Sequence, residues 1–482
     1  LECEELIKQY HSEMAADRIA DGGTDRMVAF INELDGAEYI NGTAPEPHSV
    51  TYATVMYNGK SETKPLSEWQ IETILGSEMA YMFPVVEIPV RDFMKMPGGP
   101  EAVDKELNEM QARRFNDEKH IPEHAKRTAL ECRLICTQKR DGTMKARLVA
   151  KDLKAKRKLP DTSTYAAVPA MYGYRLILAA ADGRKHIVST TDFNVAYLQT
   201  ENRVDQTTWL LIWFRDPHTG LKRYTHLMGV IYGEQPAGKD WKDSLKHKMV
   251  MKGGFKEVMN MENMYYHPLW KVVVSVHVDD PLIVAIDEDG HELTHDFLDD
   301  QFDTKGRNRL THDKQIDYLS MEISLSADND IIITNRAKCE KMLADAGMSE
   351  CLPTTQPPMT KQSLKQALEN NEPLSDEENT ARLGDNGRFG WLAQTTHLGL
   401  AVSTSIAQGL PAVQGTKDVS AMMYQWVQAH KNDGLISKAD DISGFSISTD
   451  ADWAGMHSVT GEVRSRTGVM ICYNGMPIPW YT

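Results

Sequence analysis

Two adjacent aspartates, Asp279 and Asp280, lie between two apolar runs in the segment WKVVVSVHVDDPLIVAI. The valine-rich residues before the pair and the apolar residues after it predict a buried β-hairpin with the carboxylates at its turn. Aspartate is common in turns, and a second pair at Asp299 and Asp300 shows that adjacency alone carries little information. Two carboxylates at the edge of an apolar core repel each other unless a cation neutralises them. Oxygen ligands of this kind suit Mg²⁺, so the turn is a candidate metal site.

A third carboxylate, Asp192, ends the apolar strand in the segment HIVSTTDFNVAYLQ. If that strand lies beside the hairpin, Asp192 and Asp279 converge on one pair of metal ions. Two ions about 3.5–4 Å apart can stabilise both the attacking and the leaving oxygen of a phosphoryl transfer. Taken alone, the segment is better explained as a strand that ends in a solvated aspartate, and only the two aspartate motifs together with a basic hairpin would indicate a site of nucleotidyl transfer.

A basic block spans residues 131–160, where ten Lys or Arg residues stand against three acidic ones and give a local net charge of +7. Within it, TMKARLVAK alternates basic and apolar side chains, as in one strand of a β-hairpin whose turn contains Asp141 and Gly142. A basic hairpin can hold a triphosphate or a nucleic-acid backbone. An isolated charge run is more often a solvated face, and the block alone does not choose among these roles.

The length and composition of the whole chain limit the classes of protein to which these groups can belong. Its 482 residues are 41% hydrophobic and 25% charged, which excludes a disordered tail protein, a collagen-like repeat and a disulfide-stapled mini-protein. The net charge of −16 excludes a simple basic nucleic-acid coat, and six scattered cysteines fit free thiols in a reducing compartment. The sequence has no apolar run of the eighteen or more residues that a membrane helix requires. With Leu1 first and no signal-peptide core after it, we interpret the chain as an intracellular fragment.

Four regions differ in their hydrophobic pattern. Residues 1–125 mix amphipathic helix with loops rich in Gly and Pro, and a helix is predicted after Pro100. Residues 126–335 alternate short strands and helices, residues 336–440 are mostly helical, and residues 441–482 return to strands. The predicted strands include KHIVSTTDF, TTWLLIWF, WKVVVSVHV, PLIVAI and DIIITN, and the clearest helices are RAKCEKMLADAGM and DVSAMMYQWVQAHK.

The order of the motifs indicates a family. MKARLVAK, TTDFNVAYLQ, IYGEQPAGKDW, HVDD, DYLSMEI and STDADWAG with PIPW resemble the reverse transcriptase and the start of the ribonuclease H of copia-type LTR retrotransposons. The resemblance implies an α+β right-hand polymerase of fingers, palm and thumb, with an antiparallel palm sheet, a helical connector and a partial ribonuclease H-like β segment. It implies a linker and the start of the fingers in 1–125, fingers and palm in 126–335, a thumb or connection in 336–440 and the ribonuclease H-like part in 441–482.

The same resemblance implies RNA-directed DNA polymerase activity on an RNA template and a DNA primer, with dNTPs as substrates and two Mg²⁺ ions that Mn²⁺ can replace. It implies no membrane partner and an intracellular location in the cytoplasm, a virus-like particle or the nucleus. Matched position by position, the catalytic metal ligands would be Asp192, Asp279 and Asp280. The residues expected around the nucleotide are Phe193 through a backbone contact to the metals, Tyr197 under the sugar ring, Lys145, Arg147 and Lys151 toward the triphosphate, and Gln235 of the loop after Tyr-Gly.

The chain departs from the family pattern near this expected site. His277 stands where Tyr usually precedes Val-Asp-Asp, Glu234 replaces a Leu-Lys pair, Pro281 follows the aspartates where Leu is usual, and Ser320 replaces Gly. These changes leave open a second interpretation, in which the chain is a catalytically decayed transposon relic that still binds nucleic acid.

A zinc metalloprotease is a third interpretation, because HELTH at residues 291–295 fits the His-Glu-x-x-His pattern of zinc-binding helices. The surrounding residues instead favour an acidic surface helix, with Leu293 and Phe297 facing inward one turn apart.

The C-terminal segment contributes one more candidate residue. Asp450 in SISTDADWAG matches the first carboxylate of the ribonuclease H site, and the family's other acidic ligands lie beyond the residue that matches Trp480. Since a two-metal site requires those ligands, we expect no cleavage of RNA by this chain.

Overall fold

The structure, a computed structural model, describes residues 27, 52–57, 60–65, 87–118, 120–138, 142–152, 171–203, 206–259, 261–452, 459 and 466–481. Within these ranges, no helix combines the length and the apolarity needed to cross a membrane.

The elements are numbered along the described chain. The strands are β1 Tyr52–Tyr57, β2 Lys60–Pro65, β3 Phe115–Asn116, β4 Leu130–Gln138, β5 Met144–Ala150, β6 Ile187–Phe193, β7 Leu210–Arg215, β8 Lys222–Leu227, β9 Lys256–Glu257, β10 Met264–His267, β11 Val272–His277, β12 Asp280–Ala285, β13 Thr304–Arg309, β14 Ile316–Tyr318, β15 Met321–Leu325, β16 Ile331–Thr334, β17 Gly434–Ser437, β18 Phe445–Asp452, β19 Arg466–Tyr473 and β20 Met476–Tyr481. The α-helices are α1 Val90–Phe93, α2 Gly99–Arg113, α3 Met171–Ala180, α4 Ala237–His247, α5 Glu288–Gln301, α6 Arg336–Asp345, α7 Lys361–Leu368, α8 Asp376–Thr395, α9 Ala401–Gly409 and α10 Gly415–His430. Short 3₁₀ or π helices are Ala125–Thr128, Ala196–Gln199, Gln206–Thr208, Lys248–Lys252 and Leu398–Leu400.

A six-stranded antiparallel sheet, in the order β13-β6-β12-β11-β10-β9, contains the strands that bear the three candidate aspartates. Its middle strands β11 and β12 are mainly apolar because both of their faces are covered. On one face, Val273 and Val284 share an apolar cluster with helix α3. On the other face, Val274 and Ile283 belong to a second cluster that includes residues of α4 and α5. The aspartates therefore sit on a strand framework that is held from two sides.

A five-stranded sheet, in the order β3-β8-β7-β4-β5, carries the basic hairpin. Strands β4 and β5 pair antiparallel, as predicted, while β4 and β7 form a parallel pair. Helix α2 begins around Pro100, as predicted, and its buried residues Val103, Leu107 and Met110 join the core of this sheet.

A helical cluster and two further antiparallel sheets follow toward the C-terminus. Helices α6 to α10 share one apolar core, which includes Met342, Leu392 and Val427. The two sheets have the orders β14-β15-β16-β17 and β18-β19-β20. Ile478 and Trp480 of β20 pack in the same cluster as α3, so the C-terminal strands share a core with the central sheet.

The principal predicted elements are confirmed. The strands predicted from KHIVSTTDF, TTWLLIWF, WKVVVSVHV, PLIVAI and DIIITN are β6, β7, β11, β12 and β16, and the two clearest predicted helices are α6 and α10. The described part of the chain is a mixed α and β structure with several sheets. Its five cysteines are free thiols, in agreement with the expectation from their scattered positions.

The prediction for the inward face of helix α5 is wrong for Leu293, whereas Phe297 packs against the apolar cluster of the central sheet as predicted. Leu293 is 46% exposed, whereas His291, His295 and Leu298 are buried. The helix turns its histidines inward because Ser189 of β6 offers a hydroxyl to both imidazoles, each Nε2 atom lying 3.0 Å from its Oγ.

Candidate active site

The turn between β11 and β12 presents Asp279 and Asp280 at the edge of the central sheet. His277 pairs with Asp280 across the hairpin, so Val278 and Asp279 form a two-residue turn. Val278 has φ of 55°, a left-handed conformation that a β-branched residue adopts only under constraint. The indole Nε1 of Trp241 donates a hydrogen bond to the Val278 carbonyl at 2.7 Å, and so helix α4 fixes the turn.

Asp192 lies at the end of β6, which pairs antiparallel with β12. The register of this pair, continued by two residues, sets Asp280 opposite Asp192. The backbone N–H of Phe193 donates to the Asp279 carbonyl at 2.8 Å, which joins the end of β6 to the turn. The structure therefore brings Asp192, Asp279 and Asp280 to one edge of one sheet.

Burial and the neighbouring carboxylates raise the pKa of both Asp279 and Asp280. Burial, followed by the charges of Asp279 and Asp192, raises the pKa of Asp280 to about 7. The side chain of Asp279 is exposed to solvent at the turn, although protein atoms surround much of its carboxyl group. Desolvation by these atoms is the main cause of the raised pKa of Asp279, and the charge of Asp192 is the second cause. Carboxyl groups that resist ionisation in this way are sites where a bound cation is stabilising.

The chemistry of this donor set fits a divalent metal ion. Three carboxylates supply the hard oxygen ligands that Mg²⁺ and Mn²⁺ take in proteins. As the side chains lie, the oxygens of Asp192, Asp279 and Asp280 do not all fall within 4.8 Å of one another. Holding one ion would therefore require side-chain rotation, which the exposed position of Asp279 permits.

Two of the predicted cations lie on β5 and act on this turn. The charges of Lys145 and Arg147 both lower the pKa of Asp279 and so oppose the effect of burial. Arg147 also forms an ion pair with the buried Glu106 at 3.1 Å, and Glu106 accepts a further bond from the Leu148 amide at 2.8 Å. Burial raises the pKa of Glu106 in spite of Arg147. Arg147 is thus anchored by a buried acid while its charge acts on Asp279.

Tyr197 lies in the short helix that directly follows β6 and borders the acidic turn. Its ring meets Tyr232 edge-on with centroids 5.1 Å apart, and the guanidinium of Arg147 lies 4.8 Å from the Tyr232 ring centroid. Burial, followed by the charge of Asp279, raises the pKa of Tyr197. Two aromatic rings and a cation therefore form a row beside the carboxylates.

The side chain of Phe193 has a different environment from its backbone. Its ring is buried, stacked on Phe302 with centroids 4.6 Å apart and edge-on to Trp241 at 5.7 Å. The backbone of Phe193 thus lies beside the turn, and its contact to bound metals remains a prediction.

Lys151 and Gln235 make their described contacts elsewhere. Lys151 forms an ion pair with Glu131. The backbone N–H and the Nε2 of Gln235 donate to the two carboxylate oxygens of the buried Asp152, at 3.1 and 3.0 Å. The role of these two residues in nucleotide binding remains a prediction that these contacts do not support. Other residues of the basic block, Lys139, Arg140, Lys154, Lys156, Arg157 and Lys158, lie outside the described residues.

The HELTH segment does not present an open zinc site. The Nε2 atoms of His291 and His295 both contact Ser189, inside the packing of α5 on β6. Within the described chain, Glu288, His291 and Glu292 form the group whose ligand atoms all lie within 4.8 Å of one another. Both carboxylates of that group are already ion-paired with arginines of β13. The zinc-binding interpretation is therefore disfavoured by the contacts that its own residues make.

Asp450 is exposed on β18, in a sheet separate from the three aspartates. Its carboxylate accepts a hydrogen bond from the Ala451 amide at 2.9 Å. Its match to a ribonuclease H residue remains a prediction.

Sequence reasoning missed Glu106 and Trp241, although both hold parts of the site. Glu106 interrupts the apolar stripe of Val103, Leu107 and Met110 on helix α2. A carboxylate on the buried face of an amphipathic helix signals a buried cation or amide partner. Trp241 stood within a recognised motif, but its pattern gave no sign that its indole would bond the turn.

The arrangement as a whole suits the chemistry of phosphates. Carboxylates at the end of the central sheet can hold divalent metal ions, and the cations of β5 can neutralise the phosphates that such ions bind. The rings of Tyr197 and Tyr232 lie beside these charges and can pack against an organic group attached to the phosphates.

Comparison with known proteins agrees with this chemistry. The sequence model of the family described as "Reverse transcriptase (RNA-dependent DNA polymerase)" matches residues 120–361. The truncated transposon Ty1-A Gag-Pol polyprotein of Saccharomyces cerevisiae is 24% identical over 275 residues, which are 55% of this chain and 21% of that polyprotein. The transposon Ty1-DR1 Gag-Pol polyprotein of the same yeast is also 24% identical over 275 residues, which are 14% of its length. The chain thus corresponds to a minor part of these curated relatives.

Two solved telomerase structures show a weaker likeness. A telomerase from Candida albicans in complex with the TWJ fragment of telomeric RNA has a TM-score of 0.33 and 12% identity, over 75% of this chain and 70% of that one. An apo telomerase from Candida tropicalis has a TM-score of 0.27 and 8% identity, over 46% of this chain and 58% of that one.

The family match covers half of the chain, and it includes β6, β11 and β12 with all three aspartates. The Ty1 relatives confirm the resemblance to copia-type elements that the order of the motifs indicated. The chain belongs to the reverse transcriptase (RNA-dependent DNA polymerase) family.

Proposed function

We propose that the chain is an RNA-directed DNA polymerase of a copia-type retrotransposon, which transfers nucleotides from dNTPs to a DNA primer on an RNA template. One observation carries the proposal: Asp192 lies at the same sheet edge as Asp279 and Asp280, and the charges of Lys145 and Arg147 act on Asp279. Family membership and the Ty1 relatives support the same activity.

In this proposal, Asp192, Asp279 and Asp280 hold two Mg²⁺ ions, which Mn²⁺ can replace. The bound metal ions would stabilise the attacking and leaving oxygens of the transfer. The raised pKa of Asp280 supports a role as ligand, because a cation removes the repulsion that keeps the carboxyl protonated.

The remaining residues would bind and orient the nucleotide. Lys145 and Arg147 would neutralise the triphosphate, Arg147 from the position that Glu106 sets for it. The ring of Tyr197 would pack under the sugar and leave no room for a 2′-hydroxyl, so that deoxynucleotides are preferred. Its position against Tyr232 beside Asp279 supports this role.

The elements would correspond to the parts of a right-hand polymerase. The central sheet with α3, α4 and α5 would be the palm, and the basic hairpin with α2 would belong to the fingers. Helices α6 to α10 would form the thumb or connection, and β18 to β20 the start of a ribonuclease H-like segment. We propose further that the protein acts inside the cell without a membrane partner.

Primer extension tests the proposal directly. The purified chain is incubated with a labelled DNA primer annealed to an RNA template, all four dNTPs and Mg²⁺ or Mn²⁺. We expect extension by the wild-type chain and by Asp313→Asn, an exposed control, and at least a thousandfold loss (about 4 kcal/mol) for Asp192→Asn and Asp279→Ala. Template binding without extension by the wild-type chain would instead support the decayed relic.

A further inference from the structure

Arg114, the residue directly after helix α2, is buried, with only 2% of its surface exposed. A buried cation is unfavourable unless its donors are satisfied. The acceptors of its five N–H groups are uncharged: the carbonyls of Arg113, Tyr197, Thr200 and Val230, and the side-chain oxygens of Thr200 and Asn202, at 2.7–3.2 Å. Burial lowers the pKa of Arg114 to about 10, so the group stays protonated at neutral pH.

The surrounding backbone is shaped to this guanidinium. A Cβ atom built on Gly229 would lie 2.8 Å from its central carbon, so any side chain at residue 229 would displace it. The N–H of Met228 donates to the Arg114 carbonyl at 2.9 Å, which fixes the same strand end to the backbone of Arg114. Arg114 therefore joins the end of α2 to two separate segments, at Tyr197–Thr200 and at Val230.

The segment that Arg114 holds is strained. Val195 has φ of 45°, although a β-branched residue is disfavoured in the left-handed region. Such conformations persist only where surrounding contacts enforce them. The carbonyl of Tyr197 accepts from both Arg114 and the hydroxyl of Thr200, at 3.2 and 3.0 Å. Arg114 thus supplies hydrogen bonds at both ends of the turn that follows the strained residue.

We infer that Arg114 is a positioning residue that holds Tyr197 against Tyr232 beside Asp279 and thereby sets the discrimination between deoxyribonucleotides and ribonucleotides. This inference rests on the proposed polymerase function. Arg114 also bonds the carbonyl of Val230, two residues before Tyr232, so one guanidinium locates the backbone of both segments that carry the two rings. Without it the turn can relax, and the Tyr197 ring loses its fixed position.

The test compares Arg114→Lys with Thr200→Val. Lysine keeps the charge but cannot reach acceptors on three segments, whereas Val keeps the shape of Thr200 and removes only its hydroxyl. The ratio of kcat/KM for a dNTP to that for the matching rNTP is measured with an RNA template. We expect the ratio to fall about tenfold in Arg114→Lys and about threefold in Thr200→Val, because misplaced contacts relax discrimination. Arg215→Lys, an exposed arginine that bonds the Gly220 carbonyl, should leave the ratio unchanged.

A double variant separates positioning from general damage. In a Tyr197→Ala background, Arg114→Lys should produce no further change in the ratio, since the ring that it positions is absent. Equal losses of kcat/KM for dNTP and rNTP in both Arg114→Lys and Thr200→Val would overturn the inference, since a merely structural role leaves the ratio intact.

Hydrogen exchange gives a readout that needs no activity. Amide exchange of residues 195–200 should be faster in Arg114→Lys and Thr200→Val, while exchange of β11 stays at the wild-type rate. If the wild-type chain does not extend a primer, the proposed function fails, and this measurement still decides whether Arg114 anchors the turn. Unchanged exchange at residues 195–200 in both variants would overturn the anchor.

Discussion

The repulsion among the three carboxylates makes a prediction about stability. Replacing Asp280 by Asn removes one charge and keeps the shape of the side chain. Because folding raises the pKa of Asp280 to about 7 from an ordinary 3.8, the folded chain retains a proton that the unfolded chain has already released. The stability that this site contributes is full below about pH 4, declines as the pH rises, and is lost above about pH 7. Asp280→Asn should therefore stabilise the protein most at pH 8.

The structure bounds the size of this effect. Ionising Asp280 in the fold is less favourable than in the unfolded chain by up to about 4 kcal/mol. Solvent at the partly exposed turn reduces the expected gain for Asp280→Asn to about 1–3 kcal/mol. At about 2–4 °C per kcal/mol for domains of 150–250 residues, the midpoint of thermal unfolding should rise by several degrees.

Thermal unfolding in EDTA at pH 5, 6, 7 and 8 measures the effect. The difference between Asp280→Asn and wild type should grow from pH 5 to pH 8, and Asp313→Asn should follow wild type. Adding Mg²⁺ should stabilise wild type more than Asp280→Asn, because the variant has lost a ligand charge. A variant that melts at or below the wild-type temperature at pH 8 without metal would refute the repulsion on which this reasoning depends.

Three further predictions concern residues that support the site. Glu106→Gln keeps an acceptor for its amide partner but removes the ion pair that positions Arg147, so steady-state KM for dNTP should rise about twofold to fivefold, and an unchanged or lower KM would contradict this. Trp241→Phe leaves the carbonyl of Val278 without the indole N–H that donates to it. The free energy of urea unfolding should fall by about 1–3 kcal/mol, and kcat should also fall. An unchanged kcat would show that the turn does not need this hydrogen bond. Burial lowers the pKa of His295 from 6.5 to about 4, so the free energy of unfolding falls as the pH drops between these values. His295→Leu should make this decline smaller, as measured by urea unfolding at pH 4.5 and 7.5. An equally steep decline in the variant would exclude His295 as its cause.

The sequence was most informative where one pattern had one physical solution. The valine-rich run before Asp279 predicted a buried strand, because a surface helix or loop would not sustain apolar side chains on both faces. The end of that strand was marked by the two aspartates themselves. That Asp192 lies beside them depended on the pairing of β6 with β12, which no local pattern specifies and only the family resemblance indicated.

Ion pairs were the part of the site that the sequence could not specify. Lys151 is paired with Glu131, and Arg147 with Glu106, across strand and helix contacts formed only in the fold. The sequence of a basic block therefore predicts that each Lys or Arg can bind phosphate, even where an acidic residue from another element neutralises its charge. In the same way, the side-chain amide of Gln235 donates a hydrogen bond to the buried carboxylate of Asp152.

Helix α5 shows a different cause of error. Its sequence allows two inward stripes, one with Leu293 and one with His291 and His295, and hydrophobicity alone favours the leucine. The histidine stripe is the buried one because Ser189, a polar residue in the middle of β6, contacts both imidazoles. A polar pair across a helix–sheet contact cannot be seen from either element alone.

The central claim is that the carboxylates at the ends of β6 and β11–β12 hold paired metal ions for nucleotidyl transfer. Crystals of the chain with an RNA template, a DNA primer ending in a dideoxynucleotide, the next dNTP and Mn²⁺ would test it by anomalous scattering. We expect two Mn²⁺ peaks about 3.5–4 Å apart, bound by Asp192 and Asp279, with the triphosphate between them and β5. Bound nucleotide with no metal peak at these aspartates would contradict it.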